Sequence, residues 1–222
     1  MTAASPLEIR TFTSAGFGEN AYLAVCRTTN VAVAVDPGAE APALADALVA
    51  LGAALEAILL THAHVDHIEG VGALARRVRA PVYLHPDDRP LYDRAADQAA
   101  TFGYRVEAPP APDHELLDGQ LVRFGECMLE VRHCPGHSPG HVILYSAAAG
   151  AAFVGDVVFM GSIGRTDLPG GDHRRLLRSI REQVLSLPAE TTLYPGHGPA
   201  TTVGHERVSN PFLVPLYGGG LA

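Results

Sequence analysis

The sequence is poor in cysteine and in basic residues. Its 222 residues contain three cysteines, an odd number with no C-x-x-C pair, so we expect no disulfide framework and predict a reducing, cytoplasmic location. The 16 basic residues are outnumbered by 24 acidic ones, which gives a formal charge of −8. Because nucleic-acid binding needs clustered Lys and Arg, this balance argues against a nucleic-acid partner.

Signals for export and for membrane insertion are not found either. The first six residues show no basic segment followed by an apolar one, so we expect no secretory signal. The most apolar stretch, residues 41–60, contains Asp46 and Glu56 and is interrupted by Gly52. A helix followed by a strand explains this stretch better than a membrane span, and we expect no membrane partner.

Strand and helix patterns alternate in both halves of the chain. Periodicity predicts strands at 7–12, 20–26, 31–35, 57–60, 81–85, 120–124, 128–132, 142–145, 152–154 and 191–194. Helices are predicted at 42–51, 68–78, 91–100 and 173–187. This order favours an α/β class with two sheets packed face to face and helices outside. We predict one domain over 1–210, built from halves at about 1–115 and 116–210, and a frayed tail at 211–222.

The most informative segment is T-H-A-H-V-D-H, residues 61–67, directly after the predicted strand 57–60. It places His62, His64, Asp66 and His67 at the carboxyl end of a strand, where open α/β sheets bind ligands. In extended geometry His62 and His64 share a face, and Asp66 and His67 follow at a turn. One loop can therefore supply two metal sites. The alternative is a set of surface histidines on a polar loop.

Three later polar loops also follow predicted strands. They are C-P-G-H-S-P-G-H at 134–141, G-D at 155–156 and P-G-H-G-P at 195–199. In each loop Gly or Pro stands next to a possible ligand, as expected where a turn directs a side chain inward.

With these motifs the sequence resembles the metallo-β-lactamase fold superfamily across nearly the whole chain. Within it, residues 161–172 and the run Asn210-Pro211-Phe212 resemble the small glyoxalase II-type hydrolases. The resemblance implies a four-layer αβ/βα sandwich. Full-length glyoxalase II carries a further C-terminal helical domain that binds glutathione, and we expect this protein to lack it.

The resemblance also implies a set of metal ligands and a substrate contact. Carried over by position, the metal ligands are His62, His64 and His137 for a first ion, Asp66, His67 and His197 for a second, and Asp156 between the two. Neutral imidazoles and carboxylates suit two divalent cations, Zn and/or Fe, with Mn also possible. Arg165 is a candidate for binding a substrate carboxylate, and its alternative role is an ion pair with Asp167 or Asp172.

The implied activity is hydrolysis of a small-molecule thioester such as S-lactoylglutathione by a metal-bound hydroxide, with Asp66 as the catalytic residue that orients it. The net positive charge of two ions with two carboxylates and a hydroxide favours an anionic substrate. One alternative is a mononuclear Fe(II) persulfide dioxygenase that uses His62, His137 and Asp156. A second is a non-catalytic metal-binding module. A β-lactamase is less expected, since those enzymes typically carry cysteine in place of Asp156. The oligomeric state stays open.

Three other residues near these motifs have simpler interpretations. His141 is expected to begin a strand, and His85 to be an imidazole at the edge of the core. Cys134 is expected to be a small buried hydrophobe, because no activating base is adjacent to it.

Overall fold

A computed structural model describes residues 5–214 of the chain. The first half forms a six-stranded sheet in which the strands lie in sequence order. The strands are β1 (Leu7–Thr13), β2 (Asn20–Cys26), β3 (Val31–Val35), β4 (Ala54–Leu59), β5 (Val82–Leu84) and β6 (His114–Glu115). β1, β2 and β3 pair antiparallel, whereas β3 to β6 pair in parallel.

The second half forms a sheet of the same size. Its strands are β7 (Leu121–Phe124), β8 (Cys127–His133), β9 (Val142–Ser146), β10 (Ala151–Gly155), β13 (Thr192–Pro195) and β14 (Thr201–Thr202). They lie in the order β14-β13-β10-β9-β8-β7, and only β10 and β13 are parallel. A short separate hairpin, β11 (Val158–Phe159) with β12 (Ser162–Ile163), follows β10.

Helices cover the outer faces of the two sheets and some of the connections. They are α1 (Ala41–Leu51), α2 (Val65–Ile68), α3 (Val71–Val78), α4 (Arg89–Tyr92), α5 (Ala95–Thr101), α6 (His173–Ser179) and α7 (Val203–Ser209). A wider helical turn at Ile180–Val184 continues α6, and a 3₁₀ turn at Pro86–Asp88 precedes α4. Among residues 5–214, no helix has the length and apolar character needed to cross a membrane.

Alternation along the strands produces four layers. In β2, Tyr22 and Ala24 point into the core between the two sheets, which also contains Leu129 and Leu144 of the second sheet. Ala21, which points to the opposite face of the strand, packs in the layer formed by α1 and α3. A third core lies between the outer face of the second sheet and α6. The predicted four-layer α/β sandwich is therefore confirmed.

The predicted helix 68–78 is wrong in one respect, because two helices occupy this region. α2 ends before Gly70 and α3 begins after it. A Cβ atom on Gly70 would lie 2.0 Å from the carbonyl oxygen of Gly38, so this position admits only glycine. The chain is therefore broken at Gly70 because the α2–α3 junction packs closely against the turn after β3. Local periodicity does not reveal such a contact.

Other predicted elements differ in extent. The helix expected at 91–100 is divided between α4 and α5, and α7 and the β11–β12 hairpin were not predicted. At the start of the predicted tail, Leu213 and Val214 are buried. Residues 215–222 of that tail lie outside the described residues.

Candidate metal centre

The fold brings all seven candidate ligands to one end of the sandwich. Each follows the carboxyl end of a strand: the 61–67 segment follows β4, and the remaining ligands follow β8, β10 and β13. Two backbone hydrogen bonds join these loops across the halves, from Val142 N to Thr61 O (2.8 Å) and from Asn20 N to Gly196 O (2.7 Å). The site is therefore shared between the two halves of the chain.

His62, His64 and His137 form the first ligand group. One nitrogen from each lies within 4.8 Å of the others, and all three residues are buried. The Nδ1 atom of His64 and the Nε2 atom of His137 are 2.8 Å apart. Their rings meet His62 edge to face, with centroids 4.8 Å and 4.9 Å away. This arrangement directs three imidazole nitrogens toward one point.

Asp66, His67 and His197 form the second ligand group, with ligand atoms again within 4.8 Å of one another. The Oδ2 atom of Asp66 is 3.3 Å from Nε2 of His197 and 3.9 Å from Nε2 of His67. His67 is fully buried, whereas Asp66 and His197 are partly exposed.

Asp156 lies between the two ligand groups. Its Oδ2 atom is 3.5 Å from Nε2 of His137 and 3.6 Å from Nε2 of His197. Its Oδ1 atom is 3.4 Å from Nε2 of His67. One carboxylate thus faces imidazoles of both groups, as a bridging ligand would.

Hydrogen bonds to the Nδ1 atoms of His67 and His137 orient these two rings so that their Nε2 atoms face Asp156. Nδ1 of His67 donates to Asp36 (3.1 Å), and Nδ1 of His137 donates to the carbonyl of Arg165 (2.8 Å). Among the described residues, the buried Nε2 atoms of His62 and His67 have no hydrogen-bond partner. Buried polar atoms without partners are costly, so these donors fit divalent cations such as Zn, Fe or Mn.

The two groups differ in electrostatics. Burial and the neighbouring imidazoles lower the pKa of His62 and bring the pKa of His64 to about 3. Burial also disfavours the charged form of His67, but the carboxylates of Asp66 and Asp156 overcome it and raise the pKa of this imidazole. At Asp156 burial favours the neutral acid, but the neighbouring His67 outweighs it and lowers the pKa of this carboxyl group.

Asp36, which was not among the predicted site residues, supports both ligand groups. It is buried at the end of β3 and accepts hydrogen bonds from Thr61 N (2.7 Å) and Thr61 Oγ1 (2.6 Å) in addition to His67. Thr61 Oγ1 in turn lies 3.0 Å from Nδ1 of His62. One carboxylate therefore orients an imidazole in each group.

Asp88 is a second supporting residue that the sequence did not reveal. It is fully buried and accepts hydrogen bonds from Ala63 N (3.0 Å), Ser138 Oγ (2.7 Å) and Gly140 N (2.6 Å). Ala63 stands between the first two ligands, and Ser138 follows the third. Asp88 thus holds together the two loops that carry the first ligand group.

The loop that carries His197 is fixed by β2. The Asn20 amide donates to the carbonyls of Pro195 (3.0 Å) and Gly198 (2.8 Å), and the hydroxyl of Tyr22 donates to Pro195 (2.6 Å). The intervening Gly196 is required sterically, because a Cβ atom there would lie 2.2 Å from Oδ1 of Asp156.

The structure also places the remaining candidates. Arg165 makes a two-pronged ion pair with Asp167 (2.6 Å and 2.7 Å), the alternative role considered for it. Nε2 of His141 accepts a hydrogen bond from Asp156 N (3.1 Å) and so positions the bridging residue. His85 stacks on His133 at 4.1 Å. Cys134 is fully buried, which raises the pKa of its thiol.

A cavity of about 690 Å³ opens onto the centre. Residues of both ligand groups form its floor, together with Asp156. Its walls are largely apolar and include Phe17, Leu91, Phe102 and Leu168. This combination of apolar walls and a few convergent polar groups is typical of a small-molecule site.

The sequence profile of the Metallo-beta-lactamase superfamily matches residues 15–197. The chain belongs to the metallo-beta-lactamase superfamily. Among curated members it is similar to hydroxyacylglutathione hydrolase GloC of Haemophilus influenzae, with 36% identity over 199 residues that cover 89% of this chain and 93% of GloC.

Solved structures of this superfamily share both fold and sequence with the chain. The structure of BLEG-1 B3 metallo-beta-lactamase is 40% identical, with a TM-score of 0.88 over 93% of this chain and 100% of that one. The di-iron-bound form of TTHA1623 is 44% identical, with a TM-score of 0.85 over 92% and 100% of the two chains.

Proposed function

We propose that the protein is a metal-dependent hydrolase that cleaves a thioester, with S-lactoylglutathione or a related hydroxyacyl thioester as substrate. The observation that carries the proposal is the pair of complete ligand groups with Asp156 between them, at the floor of an apolar cavity. The similarity to a hydroxyacylglutathione hydrolase supports this substrate class. The di-iron-bound neighbour supports a centre of two ions, Zn and/or Fe with Mn also possible.

Two divalent cations at this centre would supply the acidity that brings the pKa of a bound water to about 7 and polarises the substrate carbonyl. The residues of the chain supply orientation. The carboxylate of Asp66 is partly exposed to the cavity and 3.3 Å from His197, so it can accept a hydrogen bond from the attacking water and fix its direction. Because this water attacks directly, no serine or cysteine nucleophile is needed, and the buried Cys134 takes no part.

The cavity suits the leaving group of such a reaction. A thiolate is a stable anion, so its departure requires no protonation by a side chain. The apolar wall formed by Leu91, Phe102 and Leu168 can pack against the thiol-derived arm and exclude bulk water around it. The small molecule is proposed to be anionic, because both ligand groups and their ions carry a net positive charge when the imidazoles are neutral.

β-lactam hydrolysis is a second candidate, supported by the similarity to BLEG-1 at 40% identity. The sequence had ranked it lower because Asp156 stands where those enzymes typically carry cysteine. The persulfide dioxygenase, with one Fe(II) held by His62, His137 and Asp156, is the further alternative. All three reactions would use the same cavity.

The deciding experiment is a panel of reactions on protein loaded separately with Zn, Fe and Mn. Thiol release from S-lactoylglutathione tests the proposal, hydrolysis of a chromogenic cephalosporin tests the second candidate, and oxygen uptake with glutathione persulfide tests the dioxygenase. We expect thiol release at a kcat/KM of about 10⁴ M⁻¹s⁻¹ or more. Fully loaded protein that leaves the thioester intact would exclude the proposed function.

A further inference from the structure

Two arginines line the cavity, and they differ in their partners. Arg165 is neutralised by its ion pair with Asp167. Arg94, which precedes α5, also lines the cavity and is exposed. Among the described residues, its guanidinium has neither a hydrogen bond nor an ion-pair partner. All 16 basic residues of the chain are arginines, so Arg94 is the unpaired permanent cation that the cavity wall offers.

Asp97, in the first turn of α5, follows Arg94 by three residues. Asp97 is likewise exposed and lines the cavity. The two charges form no ion pair within 4.0 Å, and the carboxylate of Asp97 makes no other hydrogen bond among the described residues. The cavity wall thus presents one cation and one anion, three residues apart in the chain and both available.

The position of this pair is fixed by Gln98. Its amide donates to the carbonyls of Ala63 (2.9 Å) and Leu91 (2.9 Å), which ties α5 to the segment between the first two ligands. Arg94 and Asp97 line the same cavity as the metal centre but belong to neither ligand group. They are therefore available to a part of the substrate other than the acyl carbonyl.

We propose that Arg94 and Asp97 together bind the α-amino acid end of the thiol-derived arm of the substrate, Arg94 through its carboxylate and Asp97 through its ammonium group. This inference rests on the proposed thioesterase function and specifies its substrate class. A zwitterionic amino acid group is the complement of adjacent unlike charges, and Arg binds carboxylates in a two-pronged geometry. Leu91 and Phe102, in the same wall, contact the uncharged part of the arm.

Binding of stable thioethers tests the inference without requiring turnover. The probe is S-methylglutathione, whose γ-glutamyl end carries both charges, titrated into metal-loaded protein by calorimetry. We expect the Kd to rise about tenfold in Arg94→Gln and about threefold in Asp97→Asn, as charge-assisted but solvent-exposed contacts predict. Arg105→Gln is the matched control, since Arg105 is an exposed arginine of the same region outside the cavity.

Two analogues assign each contact. A 4-aminobutyryl group in place of the γ-glutamyl group deletes only the carboxylate, and a glutaryl group deletes only the ammonium. Arg94→Gln should bind the first analogue as the wild type does, and Asp97→Asn should bind the second as the wild type does. Equal affinity of wild type and Arg94→Gln for S-methylglutathione, or no binding by wild type, would overturn the inference.

The same experiments distinguish failure of this binding site from failure of the proposed thioesterase function. Wild-type protein that binds S-methylglutathione through Arg94 but releases no thiol from S-lactoylglutathione would support the binding site and exclude the thioesterase. Protein that hydrolyses the thioester while Arg94→Gln changes no affinity would support the thioesterase and exclude this binding site.

Discussion

The two ligand groups differ in charge and in access to solvent. The first group consists of imidazoles alone, all buried and all supported by short loops that Asp88 holds together. The second group contains a carboxylate, has Asp36 and Asp156 next to His67, and is partly exposed to the cavity. The chain therefore offers divalent cations two unlike environments, one neutral and buried, the other acidic and partly exposed.

The two ligand groups therefore differ in how protons compete with a cation for their imidazoles. Imidazoles with lowered pKa values carry no proton that a cation must displace. Imidazoles beside carboxylates hold their protons more tightly, and they also attract cations more strongly once those protons have left. Supporting residues and pH should therefore affect the two positions differently.

The largest effect is expected from Asp156→Ala, which removes the carboxylate that faces both ligand groups. Because the carboxylate faces both groups, we expect loss of both ions and a decrease in kcat/KM of at least about a thousandfold. Elemental analysis and thiol release measure the two quantities. Asp46→Ala, an exposed aspartate on α1, is the control. An alanine variant with full metal content would contradict a bridging role.

Asp88→Asn should affect the first group selectively. All three partners of Asp88 donate hydrogen bonds, and an amide nitrogen cannot accept them. We expect the metal content to decrease from two ions to one and the free energy of unfolding to decrease by about 1–3 kcal/mol.

The neighbouring exposed residue provides the control, because Asp87→Asn should change neither quantity. Decreased stability with both ions still bound would limit Asp88 to a structural role.

Acidification should empty the second group first. The raised pKa values of His67 and His197 mean that protons compete with the cation there as the pH decreases. His62 and His64 stay neutral, since their pKa values are lowered. Metal content should therefore decrease from two ions to one between about pH 7.5 and 5.5.

Single-site variants assign the remaining ion. His197→Ala should retain its one ion over this pH range, and His64→Ala should lose its ion at the acid end. The reverse pattern would show that the carboxylates of the second group outweigh proton competition.

The last effect is confined to metal-free protein and concerns Glu19, a fully buried acid close to the second group. Its carboxyl oxygens lack hydrogen-bond partners among the described residues, and burial raises its pKa from 4.5 to about 9. The folded state therefore retains a proton that the unfolded chain releases, so this group destabilises metal-free protein increasingly as pH rises from about 4.5 to 9.

Glu19→Gln removes that dependence. Urea unfolding of chelated protein should show wild type and variant alike near pH 4.5 and the variant more stable at pH 8. A difference that does not vary with pH would show that Glu19 acts through packing and not through its charge.

The sequence predicted the ligands of the first half better than their supports. Four of the ligands lie within one segment of six residues, so the pattern is visible locally: His62, His64, Asp66 and His67. The contacts of Asp88 span 25 to 52 residues, and no local pattern indicates such a hydrogen bond. Long-range contacts are specified by the packing of the sheets, which periodicity alone does not describe.

Contacts outside the local sequence also explain why some predicted helix boundaries were wrong and why some site residues were missed. The break at Gly70 depends on its contact with Gly38, which lies across the fold. Arg165 was a reasonable substrate contact by residue type, but its partner Asp167 is only two positions away. Arg94 and Asp97 carried no signal, because their place in the cavity wall depends on where α5 begins and on its attachment through Gln98.

Division of the ligands between the two halves of the chain has a mechanical consequence. Each cation bound here would be held by the loop after β4 and by loops of the second half, after β8 and β10 for one ion and after β10 and β13 for the other. Such ions would cross-link the two sheets, comparable in effect to a disulfide across the same seam. Withdrawal of that ion by a chelator should therefore loosen the whole sandwich and not the rim alone, and amide exchange should quicken in strands that touch no ligand.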